Sequence, residues 1–263
     1  MILPHFKSYP DGQLTAKQCD YFDQNGLLIL EDYFSQSQGI LLKERMTDLI
    51  GDYHHRPDLV RDLHFTFEVK GDCHQNNIFF PQNRLLSKIS ATLHTRDPIF
   101  REFSHQPKII TTLECIGYTQ PILLQSMYIF KPPGIRRAVE GHQDASFIHV
   151  TPKPVIGLWF ALEDARKSNG CLWVLPGRHD EPLRNKFVKY SDGRLEFEFY
   201  DQEPWPSHEG LSVEVPFGSL VLLHGHLPHG SYPNTSQQSR HAFTLHGMEA
   251  TSQLDRTNWL LES

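Results

Sequence analysis

The chain has 263 residues, 39 % of them hydrophobic, with 25 basic and 31 acidic side chains and a formal charge of −6. That length buries a sizeable core without disulfide staples, and the acidic balance with no long basic run argues against nucleic acid as a partner. The four cysteines (Cys19, Cys73, Cys115, Cys171) form no C-x-x-C pair, which argues against a structural zinc site and against a disulfide scaffold.

The first residues lack the charged-then-apolar layout of a secretory leader, and the closing tripeptide is not peroxisomal. No apolar run approaches the ~18 residues a membrane helix needs. The expected location is the cytoplasm, with no membrane contact. Oligomeric state is not readable.

Along the chain, Thr15-x-x-Gln18 is a capping box opening a helix that stops at Asn25-Gly26. Leu27–Leu30 reads as a strand. Ser35-x-x-Gln38 opens a second helix with an apolar stripe of Leu41, Leu42, Met46, Leu49 and Ile50. Arg84–His94, with Leu85, Ile89 and Leu93 four apart, predicts a third helix. The stretch from Tyr53 to Gln82 is left unassigned. From Pro121 onward short β-rich runs dominate: Ile122–Lys131, Val155–Leu162, Cys171–Leu175, Leu211–Val215, Ser219–Leu223 and Arg240–His246. The expected architecture is mainly β with α. It is a single domain over 1–263, helical to about 120, followed by a sandwich or barrel of about eight strands with the early helices packed on one sheet.

His142-Gln143-Asp144 with His229 has the composition of a two-histidine, one-carboxylate metal site. Taken alone the pair is weak, since 16 His and 16 Asp in 263 residues supply about one His-x-Asp by chance. Extended backbone strengthens it, because residues i and i+2 share a side, leaving Gln143 turned away. A rival H-x-E at His179-Asp180-Glu181 lies in a polar loop before Pro182. Of the other histidines near the second ligand, His224, His226, His241 and His246 read best as turn or core residues. Arg240 sits in an alternating strand with Ala242, Thr244 and His246 on its side. If that face is inward the guanidinium needs an anion, and if outward it is merely solvated.

Ordered blocks decide between these readings. Gln125-Ser126-Met127-Tyr128-Ile129-Phe130-Lys131 precedes His142-Gln143-Asp144-Ala145-Ser146-Phe147. Then follow Gly157-Leu158-Trp159, Asn169-Gly170-Cys171-Leu172-Trp173 and Pro176-Gly177-x-His179. In this order they resemble the phytanoyl-CoA dioxygenase family, and the likeness runs nearly end to end. The resemblance implies a double-stranded β-helix, or jelly roll, that uses Fe(II), 2-oxoglutarate and O2. It implies His142, Asp144 and His229 as iron ligands, Arg240 and Ser231 on the far carboxylate of 2-oxoglutarate, and Lys88, Met127 and Trp159 lining that pocket. The expected reaction is hydroxylation of a small molecule. Halogenation is not expected, since related halogenases have Gly or Ala where Asp144 stands.

Two rival readings stay open. A metal-dependent hydrolase on the same ligands leaves Arg240 and Ser231 without a role. A non-catalytic jelly-roll binding module sits poorly with an intact ligand set. The substrate is not specified. Arg136 and Arg137 could meet an anion or simply be solvated, and Tyr128, Trp173 and Phe147 could line a pocket or fill core.

Overall fold

The computed structural model describes residues 2–69, 79–80, 84–133 and 137–261. Strand β1 (Phe6–Lys7) is followed by α1 (Ala16–Asn25), opened by the expected capping box. Thr15 Oγ1 accepts from the Gln18 amide, and the Gln18 side chain accepts from the Thr15 amide. Gly26, at φ +71°, ends the helix by donating to the Phe22 carbonyl. Strand β2 (Leu27–Glu31) runs parallel to β1, and α2 (Gln36–His55) opens on a second capping box at Ser35. Its stripe buries Leu42, Met46, Leu49 and Ile50, but Leu41 lies outside it at 48 % exposure.

The expected helix over Arg84–His94 is a strand. Within the unassigned stretch stand β3 (His64–Val69) and β4 (Phe79–Phe80); β5 (Arg84–Ala91) pairs with both, and only Leu93–Arg96 (α3) is helical. A spacing of four is ambiguous, because i and i+4 share a face in a strand as well as in a helix. Strand neighbours on either side settle it. Two further helices, α4 (Pro98–Ser104) and α5 (Pro107–Cys115), each begin on a proline suited to a first turn. Asp97 caps α4 by accepting from the Ile99 and Phe100 amides.

The remaining strands are β6 (Pro121–Ile129), β7 (Val139–His142), β8 (Val150–Thr151), β9 (Ile156–Ala161), β10 (Leu172–Val174), β11 (Asn185–Lys189), β12 (Leu195–Phe199), β13 (Leu211–Val213), β14 (Leu220–His224), β15 (His229–Ser231), β16 (Ala242–Glu249) and β17 (Gln253–Leu254). Among the described residues a large sheet runs β1-β2-β14-β9-β16-β6-β5-β3, with β4 on β5, and a smaller sheet runs β13-β10-β15-β7. The molecule is mainly β with few helices. No helix among the described residues is long and apolar enough to cross a membrane.

Both faces of the large sheet are covered, which is why β9 reads as unbroken apolar sequence. Ile156, Leu158 and Phe160 pack with Phe243, Leu245 and Tyr128 against Leu42, Met46, Phe100 and Leu113 of the helices. Trp159 and Ala161 turn the other way, toward Leu172, Val174 and Val213 of the small sheet. Register then fixes who shares that inner face. Ser90, Met127, Thr244, Trp159 and Val221 lie in one row across five strands, and Lys88, Ile129, Ala242 and Ala161 in the next.

Candidate metal centre

His142 closes β7 and His229 opens β15, and the two residues are direct antiparallel partners with ring centroids 4.4 Å apart. Each ring is fastened the same way: Nδ1 donates to the carbonyl two residues upstream, Glu140 O for His142 and Leu227 O for His229, both at 2.9 Å. With the proton held at Nδ1, each Nε2 presents its lone pair. Asp144 heads the short 3-10 turn Asp144–Ser146, and its Oδ1 lies 3.8 Å from His142 Nε2 and 3.7 Å from His229 Nε2. The three donor atoms all fall within 4.8 Å of one another, a set that can hold a metal ion. Gln143 is turned away, its amide donating to His226 O at 2.9 Å.

The second carboxylate oxygen is also held. His246, on β16, brings Nε2 to 3.3 Å from Asp144 Oδ2. Directly opposite His246 on β9 stands Gly157, where an added Cβ would lie 2.8 Å from that same oxygen. The glycine is the gap through which the carboxylate reaches the sheet. Burial opposes ionisation of Asp144, yet His229, His246 and His142 outweigh it and hold the carboxyl well below the usual range. Burial and then the neighbouring His229 push His142 down to about 4, keeping it neutral and able to ligate.

Farther along the inner face lies a cationic end. Arg240 is 2 % exposed and therefore inward. Its Nε donates to Gly170 O at 3.1 Å and its guanidinium carbon lies 5.4 Å from the Trp159 ring centroid. Its Nη1 and Trp159 Nε1 are buried without a hydrogen-bond partner among the described residues. Two orphaned donors at one place suit a carboxylate. Burial pushes the guanidinium down to about 10, with Cys171 and Glu163 opposing. Buried Lys131 donates to Ser231 Oγ at 2.5 Å, and its carbonyl accepts from the Arg240 amide at 3.1 Å. Gly170 has φ +88°, and a Cβ there would lie 2.6 Å from Lys131 Cδ, so glycine lets the lysine stem pass.

The structure therefore gathers His142, Asp144 and His229 at one end and Arg240 and Ser231 at the other, with Trp159 beneath the guanidinium. Met127 shares the Trp159 row, whereas Lys88 is exposed on the same face, two strands from Arg240 in the sheet order. Arg136 lies outside the described residues, Arg137 is exposed, and Tyr128 and Trp173 fill core. His246 and Lys131 were missed by sequence reasoning. The signal for both was parity: His246 shares the side of Arg240, and Lys131 that of Met127 and Ile129.

The model of the phytanoyl-CoA dioxygenase (PhyH) family matches residues 22–242. A phytanoyl-CoA dioxygenase of Arabidopsis thaliana is 34 % identical over 95 % of this chain and 94 % of its own. The phytanoyl-CoA dioxygenase domain-containing protein 1 of Mus musculus is 32 % identical over 94 % of both. In fold the chain is similar to the non-heme alpha-ketoglutarate-dependent carbocyclase SnoK (TM-score 0.70, 16 % identity, 94 % of this chain and 89 % of that one). It is also similar to EctD from S. alaskensis, solved with 2-oxoglutarate and 5-hydroxyectoine (TM-score 0.68, 18 % identity, 95 % and 81 %).

Proposed function

The chain belongs to the phytanoyl-CoA dioxygenase family, and on that footing we propose that it is an Fe(II)- and 2-oxoglutarate-dependent hydroxylase of a small organic molecule. The observation that carries this reading is one inner face with a His-Asp-His donor set at one end and, at the other, a buried arginine whose Nη1 has no hydrogen-bond partner among the described residues. The β14-β9-β16-β6 and β13-β10-β15-β7 groups are read as the two halves of a double-stranded β-helix, within one domain spanning 1–263. A cytoplasmic location accompanies this reading.

Iron with 2-oxoglutarate and O2 supplies the oxidising chemistry: substrate C–H, 2-oxoglutarate and O2 become substrate C–OH, succinate and CO2. His142, His229 and Asp144 would hold the metal, with His246 steadying the carboxylate of Asp144. Arg240 takes the far carboxylate of 2-oxoglutarate by charge-assisted hydrogen bonds, with Trp159 Nε1 beside it. Ser231 accepts from Lys131, so its own hydrogen is directed elsewhere and can be donated to that carboxylate. Met127 and, from β5, Lys88 complete the wall. Burial of Arg240 excludes water from this end and strengthens its grip on the carboxylate. A zinc hydrolase on the same ligands would leave the buried guanidinium without an anion.

The test is succinate formation by protein loaded anaerobically with Fe(II) and 2-oxoglutarate and then exposed to O2. Slow turnover without added substrate, lost in His142→Ala and in Arg240→Ala, supports the reading. Zinc in the purified protein, no turnover and no binding of 2-oxoglutarate would overturn it.

A further inference from the structure

We infer that Glu163 is a positioning residue for the cosubstrate: by fixing the backbone on both sides of Arg240 it sets the preference for a keto diacid over a keto monoacid. The inference rests on the reading above that Arg240 takes the far carboxylate, and deepens it.

Arg240 precedes Ala242, the first paired residue of β16, so the sheet ladder does not hold it. Its amide reaches Lys131 O at 3.1 Å. A guanidinium aimed from such a segment is only as well placed as the backbone that carries it.

The loop between β9 and β10, residues 162–170, supplies the further hold. Glu163 Oε2 accepts from Ser239 Oγ at 2.7 Å and from the His241 amide at 2.9 Å, the residues on either side of Arg240. The Leu162 amide donates to His241 O at 3.1 Å, and Asn169 Nδ2 to Ser239 O at 3.3 Å. Gly170, at the end of the loop, gives its carbonyl to Arg240 Nε at 3.1 Å. One loop therefore grips the peptide on both flanks and the side chain as well. The two contacts on the Glu163 carboxylate are charge-assisted, and so the strongest in kind.

Glu163 is itself anchored. Its Oε1 accepts from Lys43 Nζ of α2 at 2.5 Å, and its side chain is 19 % exposed. The lysine also offsets the carboxylate's charge, which would otherwise repel a dicarboxylate bound at Arg240. His241 continues the brace, with its Nδ1 and the Tyr128 hydroxyl 3.0 Å apart. Glu163 thus acts through the backbone of Arg240 rather than on the cosubstrate.

The consequence is one of selectivity. Every 2-oxo acid carries a keto-acid head for the metal end, but only a diacid has a second carboxylate for Arg240. Loosening Arg240 weakens the diacid and spares a monoacid of the same length. A general loss of packing weakens both.

The experiment measures, by calorimetry on the full chain loaded anaerobically with Fe(II), the Kd for 2-oxoglutarate and for 2-oxopentanoate, which has the same carbon chain without the far carboxylate. The wild type is expected to prefer 2-oxoglutarate about 100-fold. No preference there removes the assignment of Arg240 to the far carboxylate, and this inference with it. With the preference present, Glu163→Ala is expected to lower it about tenfold while the Kd for 2-oxopentanoate stays within about twofold of wild type. Glu163→Gln, which keeps an acceptor for Ser239 and His241, recovers part of the loss. Ser239→Ala removes one of the two bonds and leaves the Lys43 tie intact; it is expected to lower the preference about threefold, and it decides the matter if Glu163→Ala does not fold. An unchanged preference in the deciding variant, or an equal loss for both keto acids, overturns the inference.

Discussion

His142 and His229 face each other across one antiparallel pair, and each gives its Nδ1 proton to the carbonyl two residues before it. Two ligands are thereby pre-aimed by backbone alone, before any metal arrives. The third, Asp144, has no such backbone tie among the described residues and is held by His246 instead. Removing this support is the informative change. His246→Leu is expected to weaken Fe(II) binding about 10- to 100-fold, with His246→Gln recovering part of the loss. Metal titration followed by iron analysis after gel filtration checks it, and unchanged affinity in His246→Leu would remove His246 from the site.

Gly157 is the neighbouring constraint. An alanine methyl there would lie 2.8 Å from Asp144 Oδ2, so the carboxylate must shift away from its histidines. Gly157→Ala is expected to keep the fold by circular dichroism while losing iron retention and succinate formation. Wild-type iron content in this variant would show that the carboxylate has room to spare.

At the cationic end, Arg240→Met is expected to raise the Kd for 2-oxoglutarate about 100-fold, because a buried charge-assisted contact disappears. Arg240→Lys does not restore it, since an ammonium lacks the planar fork. Lys131→Met acts through Ser231 and is expected to cost less, about tenfold. Calorimetry of 2-oxoglutarate binding under anaerobic Fe(II) ranks the three variants. A Lys131→Met effect equal to that of Arg240→Met would mean the lysine touches the cosubstrate directly.

Folding stability should depend on pH through buried neutral histidines. Burial pushes His94, His149 and His224 each down from 6.5 to about 4. As pH falls below 6.5 the unfolded chain takes up protons that the folded chain refuses. Stability is therefore full above about 6.5, lost progressively toward about 4, and regained as pH rises through that window. Urea midpoints measured for the metal-free protein across this range are expected to climb with pH, and His94→Gln to flatten part of the slope. A flat wild-type profile would count against the buried neutral assignment.

The two capping boxes and the apolar runs of β9 and β14 needed nothing beyond local chemistry to be read, while the ordered blocks around His142-Gln143-Asp144 were legible through their resemblance to a family. Caps and alternation act within a few residues, so their physics is written in adjacent letters. The same locality misled at Arg84–His94, where a spacing of four fits two periods and only pairing with His64–Val69 and Pro121–Ile129 selects the strand. Parity puts His246 and Lys131 on the inward side, but what they meet there, and why Gly157 and Gly170 must be glycine, no local pattern carries. They lie on strands and a loop far apart in the chain, and each matters only where register sets it against Asp144, Ser231 or Arg240. The sequence by itself determined the capped helices, the apolar strands of the core and the donor types. The tertiary structure alone decided which side chains meet, because long-range register, unlike local propensity, is set by how whole sheets bury their two faces.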